Sequence, residues 1–124
     1  MHKKVILGLA IIWTILIFIL CLVSFSKLPS FGVSGTDKYV HFIFHFGFTL
    51  LWGRYFWLSS NELKLGIVGR VVFMSFCFGL IIEFLQEAIT TTRHADVLDV
   101  LANSAGSLVA FLVFFPIAKY KSEK

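Results

Sequence analysis

The chain has 124 residues and a formal net charge of +4, with 58% of its residues hydrophobic and only 15% charged. Together with a mean hydropathy of +0.89, this excludes a water-soluble domain, in which about a quarter of the residues carry charge. The excess Lys and Arg residues cluster at the termini and one loop, without a basic stripe interleaved with exposed aromatics. Nucleic acid is therefore excluded as a partner, and membrane lipid is the expected surrounding.

The first apolar segment, 5–25, carries no charge and at 1.5 Å per residue spans about 30 Å, the thickness of the hydrocarbon core. Lys3 and Lys4 ahead of it resemble the start of a signal peptide. The apolar run, however, exceeds the roughly 7–15 residues of a signal core, so a retained helix is expected. A break at 26–38, with Pro29, Gly32 and Gly35, leads to a second segment at about 39–58. Asp37, His41 and His45 follow each other at intervals of four and climb one face of it. Asp37 has two readings, a helix N-cap and a carboxylate partner that orients or charges His41. His45 reads as an interhelical hydrogen bonder.

The third segment, about 65–89, follows a short break and carries Glu83, Gln86 and Glu87 within one turn near its end. Glu83 lies too deep for a short side chain to reach the interface comfortably. It either locks the bundle through an ion pair or serves as a working carboxylate, while Glu87 is nearer the boundary. Arg93, in the next break, offers a planar donor fork for an anionic group, or a salt bridge to Glu87 or Asp96. The fourth segment, about 97–118, bears Asp96, Asp99 and Asn103 on one stripe. Asp96 suits a helix N-cap; Asp99 and Asn103 lie too deep for that. Ala102, Gly106 and Ala110 continue this stripe as a small-residue run, expected to press on Ser75 and Gly79 of the third segment. Cys21 and Cys77 lie within apolar runs and read as small fillers.

Charge sets the expected orientation. With both termini inside, the inner face holds Lys3, Lys4, Arg54, Lys64, Arg70, Lys119, Lys121 and Lys124, and the outer face only Lys27, Lys38 and Arg93. Such a bias predicts an N-in, C-in protein of the bacterial cytoplasmic membrane. The fold class is then all-α, a polytopic transmembrane bundle of four helices, with residues 1–124 as one transmembrane domain. Its ionisable residues gather beneath the outer surface. Because an Asp or Arg at mid-membrane costs about 2.5–3.5 kcal/mol, a pocket formed by Asp37, His41, Glu83, Gln86, Arg93, Asp96, Asp99 and Asn103 is the candidate site. The uncharged first helix is a scaffold. His41, Glu83 and Asp99 are residue types that bind metals, but no recognised metal spacing is present, and neither a metal nor another cofactor is expected.

The order Asp37-Lys38-x-x-His41, Glu83-x-x-Gln86, Arg93-x-x-Asp96-x-x-Asp99-x-x-x-Asn103-x-x-Gly106 resembles the signature of VanZ-like membrane proteins across essentially the whole chain. Family members often carry a further Gly where Ala110 stands here. The resemblance implies a bacterial envelope protein, with tolerance of teicoplanin-type glycopeptides as the named phenotype. It also implies a lipid-linked or lipoglycopeptide ligand at the outer face. An intramembrane hydrolase or transferase acting on a lipid headgroup is the alternative, with Glu83 or Asp99 as base, His41 as acid–base partner and Arg93 as anion clamp. A small transporter fits less well, because the polar residues leave no path across.

Overall fold

The computed structural model describes residues 2–22, 36–60, 64–89 and 96–122. Four long helices account for nearly all of them: α1 (Lys3–Leu22), α2 (Thr36–Ser60), α3 (Leu65–Ile89) and α4 (Val97–Ser122). In lipid a helix is one of only two ways to satisfy every backbone amide within the chain. The apolar runs here, free of internal breakers apart from one proline, adopt it throughout. α1, α3 and α4 are each long and apolar enough to cross a membrane. α2 is equally long but carries more polar residues, and it packs against all three other helices. The protein is an all-α polytopic membrane bundle.

Two boundaries differ from the sequence reading. α2 begins at Thr36 rather than near Tyr39, so Asp37 and Lys38 belong to its first turn. The side chain of Asp37 lies outside the described residues, but its backbone is already helical, near the positive end of the helix dipole. α4 runs past Pro116 to Ser122; Pro116 removes the amide that would bond the carbonyl four residues earlier, without ending the helix. The end of the first predicted span, at 23–25, lies outside the described residues.

Burial is inverted relative to a protein in water. Ile12, Phe73, Phe84, Val97 and Leu112 point outward, whereas His41, His45, Thr49, Ser75, Glu83, Gln86, Asp99, Asn103 and Ser107 are buried. Apolar side chains facing out suit hydrocarbon, and the polar ones must find partners inside. An aromatic layer beside this polar seam joins α1, α2 and α3. Phe48 stacks on Phe78 with centroids 5.4 Å apart, and Trp13 meets Phe44 edge-on at 6.2 Å. Trp13 Nε1 also donates to the Phe44 carbonyl at 2.8 Å. Trp52 donates to the Thr14 hydroxyl at 3.0 Å, so α1 is held to α2 by hydrogen bonds as well as by apolar contact. At the opposite end from the ionisable cluster, Lys3 lies over the Tyr55 ring and Arg54 over Trp57. Such amphipathic aromatics belong at a membrane–water boundary.

The small-residue stripe of α4 meets a different neighbour from the one expected. A Cβ at Gly106 would run into the backbone of α2, at the Phe42 carbonyl and the Phe46 amide nitrogen. Gly106 therefore sets the α2–α4 approach. Gly79 and Ser75 do face α4, where a Cβ on Gly79 would overlap the amide of Asn103 and Ser75 bonds Ser107. The stripe is thus shared between two helices, because α4 sits in the groove between α2 and α3. Gly106→Ala is expected to lower stability by about 1–3 kcal/mol through overpacking against backbone that cannot move aside. Gly69→Ala, where a Cβ meets nothing within 4 Å, is expected to be neutral or stabilising through helix propensity. Thermal unfolding of both variants in one detergent measures the contrast.

Candidate functional site

α2, α3 and α4 bring their polar residues together at one end of the bundle. The fourth helix starts on a side-chain cap: Asp96 Oδ1 accepts the Leu98 amide at 2.9 Å, the N-cap geometry expected of this residue. The backbone amide of Asp96 in turn donates to Glu83 Oε2 at 3.1 Å. This bond pins the start of α4 against α3 and carries Asp99, three residues on, into the interior.

There the carboxylate of Asp99 is divided between two partners. Its Oδ1 accepts a very short bond from the ammonium of Lys38, which also donates to Asp96 Oδ2 at 2.6 Å. Its Oδ2 stands 3.6 Å from His41 Nε2. On the other side of the ring, His41 Nδ1 is 3.0 Å from Asn103 Oδ1. A carbonyl oxygen only accepts, so Nδ1 carries a proton and Nε2 is the nitrogen that faces the carboxylate. His41, Glu83 and Asp99 are 2%, 3% and 1% exposed, and one donor atom from each lies within 4.8 Å of the other two. The arrangement joins three carboxylates, an imidazole and an ammonium, of which Glu83, Asp99 and His41 are buried and Lys38 and Asp96 partly exposed. Such a group can exchange protons, hold a cation, or grip a polar ligand.

Polar contacts continue below this cluster, deeper than expected from the sequence. His45 Nδ1 lies 2.7 Å from Ser75 Oγ, and Ser75 Oγ is 2.6 Å from Ser107 Oγ. Thr49 follows one turn below His45; its hydroxyl and the Asn103 Nδ2 are buried without a hydrogen-bond partner among the described residues. Toward the other end of the bundle the buried residues Val68, Val71 and Phe114 are apolar.

The candidate residues divide as follows. His41, Glu83, Asp96, Asp99 and Asn103 converge on the cluster. Gln86 donates instead to the Cys21 carbonyl of α1 at 2.6 Å, linking the scaffold helix to α3. Arg93 and the side chain of Asp37 lie outside the described residues. Lys38, noted in the sequence as a topological charge and within the Asp37-Lys38-x-x-His41 motif but not among the pocket residues, is the ammonium at the centre of the network. Its position three residues before His41, on the same face, was the available signal. Ser107, one turn beyond Asn103, was legible in the same way. Ala102 is half-buried and Ala110 fully buried.

A cleft of about 280 Å³ opens beside the cluster between α3 and α4, lined by Leu80, Glu83, Phe84, Glu87, Asp96, Val97 and Val100. Phe84 and Val97 at its mouth are strongly exposed, so it opens through the flank of the bundle. A second cleft, of about 310 Å³, lies at the other end between α2 and α3 and includes Arg70. It adjoins none of the buried ionisable groups described above.

Fold and site together define a multi-pass membrane protein with a buried ionisable cluster at one end of a four-helix bundle. The VanZ/LLP1 family profile matches residues 6–119, covering most of all four helices, and the chain belongs to this family. No curated protein and no solved structure matches it.

If the Lys38–Asp99 contact carries the network, removing one partner should cost far more than removing both charges. Lys38→Met is expected to destabilise the protein by about 3 kcal/mol or more, by leaving a buried carboxylate without its ammonium. Adding Asp99→Asn should restore much of that loss. A double-mutant cycle by thermal or denaturant unfolding in detergent measures the coupling.

Proposed function

We propose that this protein engages a polar group carried by a lipid, or by a lipid-like antibiotic, in the outer leaflet of the bacterial cytoplasmic membrane. The cluster of Lys38, His41, Glu83, Asp96, Asp99 and Asn103 is its working site, with Asp37 and Arg93 as further candidates from the sequence. The observation that carries this reading is the cleft between α3 and α4. It has Glu83, Glu87 and Asp96 on its wall and a lipid-facing mouth. A headgroup anchored in the leaflet reaches it by sliding sideways, without leaving the membrane. An aqueous solute would not need an opening among exposed Phe84 and Val97.

Orientation supports the outer leaflet. Eight of the eleven basic side chains lie at the end away from the cluster once both termini are placed inside, the asymmetry that the positive-inside rule associates with the cytoplasm. Membership of the VanZ/LLP1 family supports an envelope role, and tolerance of teicoplanin-type glycopeptides is the phenotype that fits an amphiphilic ligand. A catalytic reading is favoured by one further observation, the 3.6 Å approach of His41 Nε2 to Asp99. That pair could pass a proton to or from a bound headgroup in a hydrolase or transferase. A transporter is disfavoured by the apolar closure at Val68, Val71 and Phe114.

Two measurements test the proposal. In a Cys-free background, Thr92→Cys is expected to react with a membrane-impermeant maleimide on intact cells, and Glu62→Cys only after lysis; the reverse pattern would put the cluster on the inner side. In a sensitive Gram-positive host, expression of the wild type should raise the teicoplanin concentration needed for inhibition several-fold. Asp99→Asn at matched membrane abundance should abolish the increase. Unchanged susceptibility with well-inserted wild type would remove glycopeptide tolerance as its role and bring headgroup chemistry, followed by lipid mass spectrometry, to the front.

A further inference from the structure

We propose that His41, Glu83 and Asp99 form a binding site for one divalent transition-metal ion, with Zn²⁺ the best match to the donor set. The inference rests on the same cluster as the proposed function and assigns it a ligand. An imidazole and two carboxylates, drawn from α2, α3 and α4, have donor atoms within 4.8 Å of one another, and all three residues are almost wholly buried.

The His41–Asp99 distance fits two ligands of a shared ion. At 3.6 Å the pair is well beyond the usual N–H···O length of about 2.9 Å. Two ligands each about 2.0–2.2 Å from a tetrahedral ion stand about 3.4 Å apart. The observed gap is close to the second value. The Glu83 donor atom lies within 4.8 Å of both, so completing the set asks it to close by no more than about 1.4 Å.

The surroundings are those that hold metal ligands in place. Ligating histidines almost always donate their other ring nitrogen to an oxygen, which fixes the tautomer and aims the lone pair. Here Asn103 Oδ1 accepts from His41 Nδ1, presenting Nε2 toward the carboxylates. Lys38 binds Oδ1 of Asp99, leaving Oδ2 on the histidine side, and the Asp96 amide fixes Oε2 of Glu83. Each of the three ligands is therefore oriented by a neighbour that is not itself a ligand. A mixed nitrogen–oxygen set suits Zn²⁺ better than Mg²⁺ or Ca²⁺, which prefer oxygen alone. Three protein donors leave a coordination position for water or for an oxygen of a bound headgroup, as catalytic rather than structural zinc sites do. No sequence spacing announces the site, because each ligand comes from a different helix.

The test uses the full chain in detergent, stripped with chelator and reloaded with Zn²⁺. One ion per chain is expected by elemental analysis, together with a rise in the wild-type unfolding temperature, since the ion binds only the folded state. Co²⁺ in place of Zn²⁺ should give the visible absorption of a four-coordinate ion with imidazole nitrogen among its ligands. His41→Gln, Glu83→Gln and Asp99→Asn should each weaken binding by at least about tenfold, and Asn103→Ala by about 10–100-fold, the usual effect of losing a neighbour that orients a ligand. Glu62→Gln, in the chain between α2 and α3, should leave binding unchanged.

A folded wild type that takes up neither ion overturns the proposal, as does binding that survives both His41→Gln and Asp99→Asn. If the variants fail to fold, the wild-type Co²⁺ spectrum decides, since a six-coordinate, all-oxygen signature excludes His41. The two proposals fail separately. A metal-free wild type whose glycopeptide tolerance depends on Asp99 would remove the metal and keep the site. A metal-loaded wild type without any tolerance phenotype would keep the metal site and remove glycopeptide tolerance as its role.

Discussion

Hydrocarbon does not solvate charge, and this constraint shapes the bundle. Two carboxylates and an imidazole, Glu83, Asp99 and His41, lie within helices whose outer faces are Phe, Leu, Ile and Val. They can be there only because Lys38, Asn103 and the Asp96 amide meet them inside. These groups and their partners come from three different helices. Satisfying these groups and assembling α2, α3 and α4 in register are therefore the same event. A helix rotated by one residue would turn a carboxylate toward lipid, at a cost of about 2.5–3.5 kcal/mol for an acidic group near the membrane centre.

The close approach of the helices follows from the same requirement. Side chains as short as Asp and Asn reach across an interface only if the backbones are near. Gly106 admits the backbone of α2, and Gly79 admits the Asn103 amide. The small residues are thus part of the polar network's geometry, not only a packing convenience. α1 sits outside this arrangement. It is tied on through Trp13, Thr14 and Cys21, and it covers the aromatic layer that flanks the polar seam.

A buried ion-pair network is weak evidence of stabilisation, because apolar replacements of similar shape often do as well. Its retention in a membrane helix bundle calls for another reason, and the lateral cleft supplies one. Glu83 and Asp96 belong both to the network and to the cleft wall. Any group entering from the lipid would meet the interior charges through these two residues. The deeper chain of His45, Ser75 and Ser107 extends the network toward the middle of the bundle, beyond which buried Val68, Val71 and Phe114 are apolar.

Hydropathy and charge alone were enough to read four apolar segments, their membrane setting and the stripe Asp96, Asp99 and Asn103, because lipid imposes long helices and a period of 3.6 residues reveals their faces. The span of α3 was read to the residue; α2 and α4 proved longer, since polar ends and a late proline blur the hydropathy signal without stopping the helix. The sequence could not reveal the rotation of each helix against its neighbours. That rotation sends Gln86 to α1 rather than into the cluster, sets Gly106 on α2 rather than on α3, and makes Lys38 the partner of Asp99. It also brings His41, Glu83 and Asp99 together although 42 residues separate the first two in the chain. Periodicity identifies which side chains share a face. Only the packed bundle decides which faces meet, because that choice depends on close fit and on the buried ionisable groups finding their partners at once.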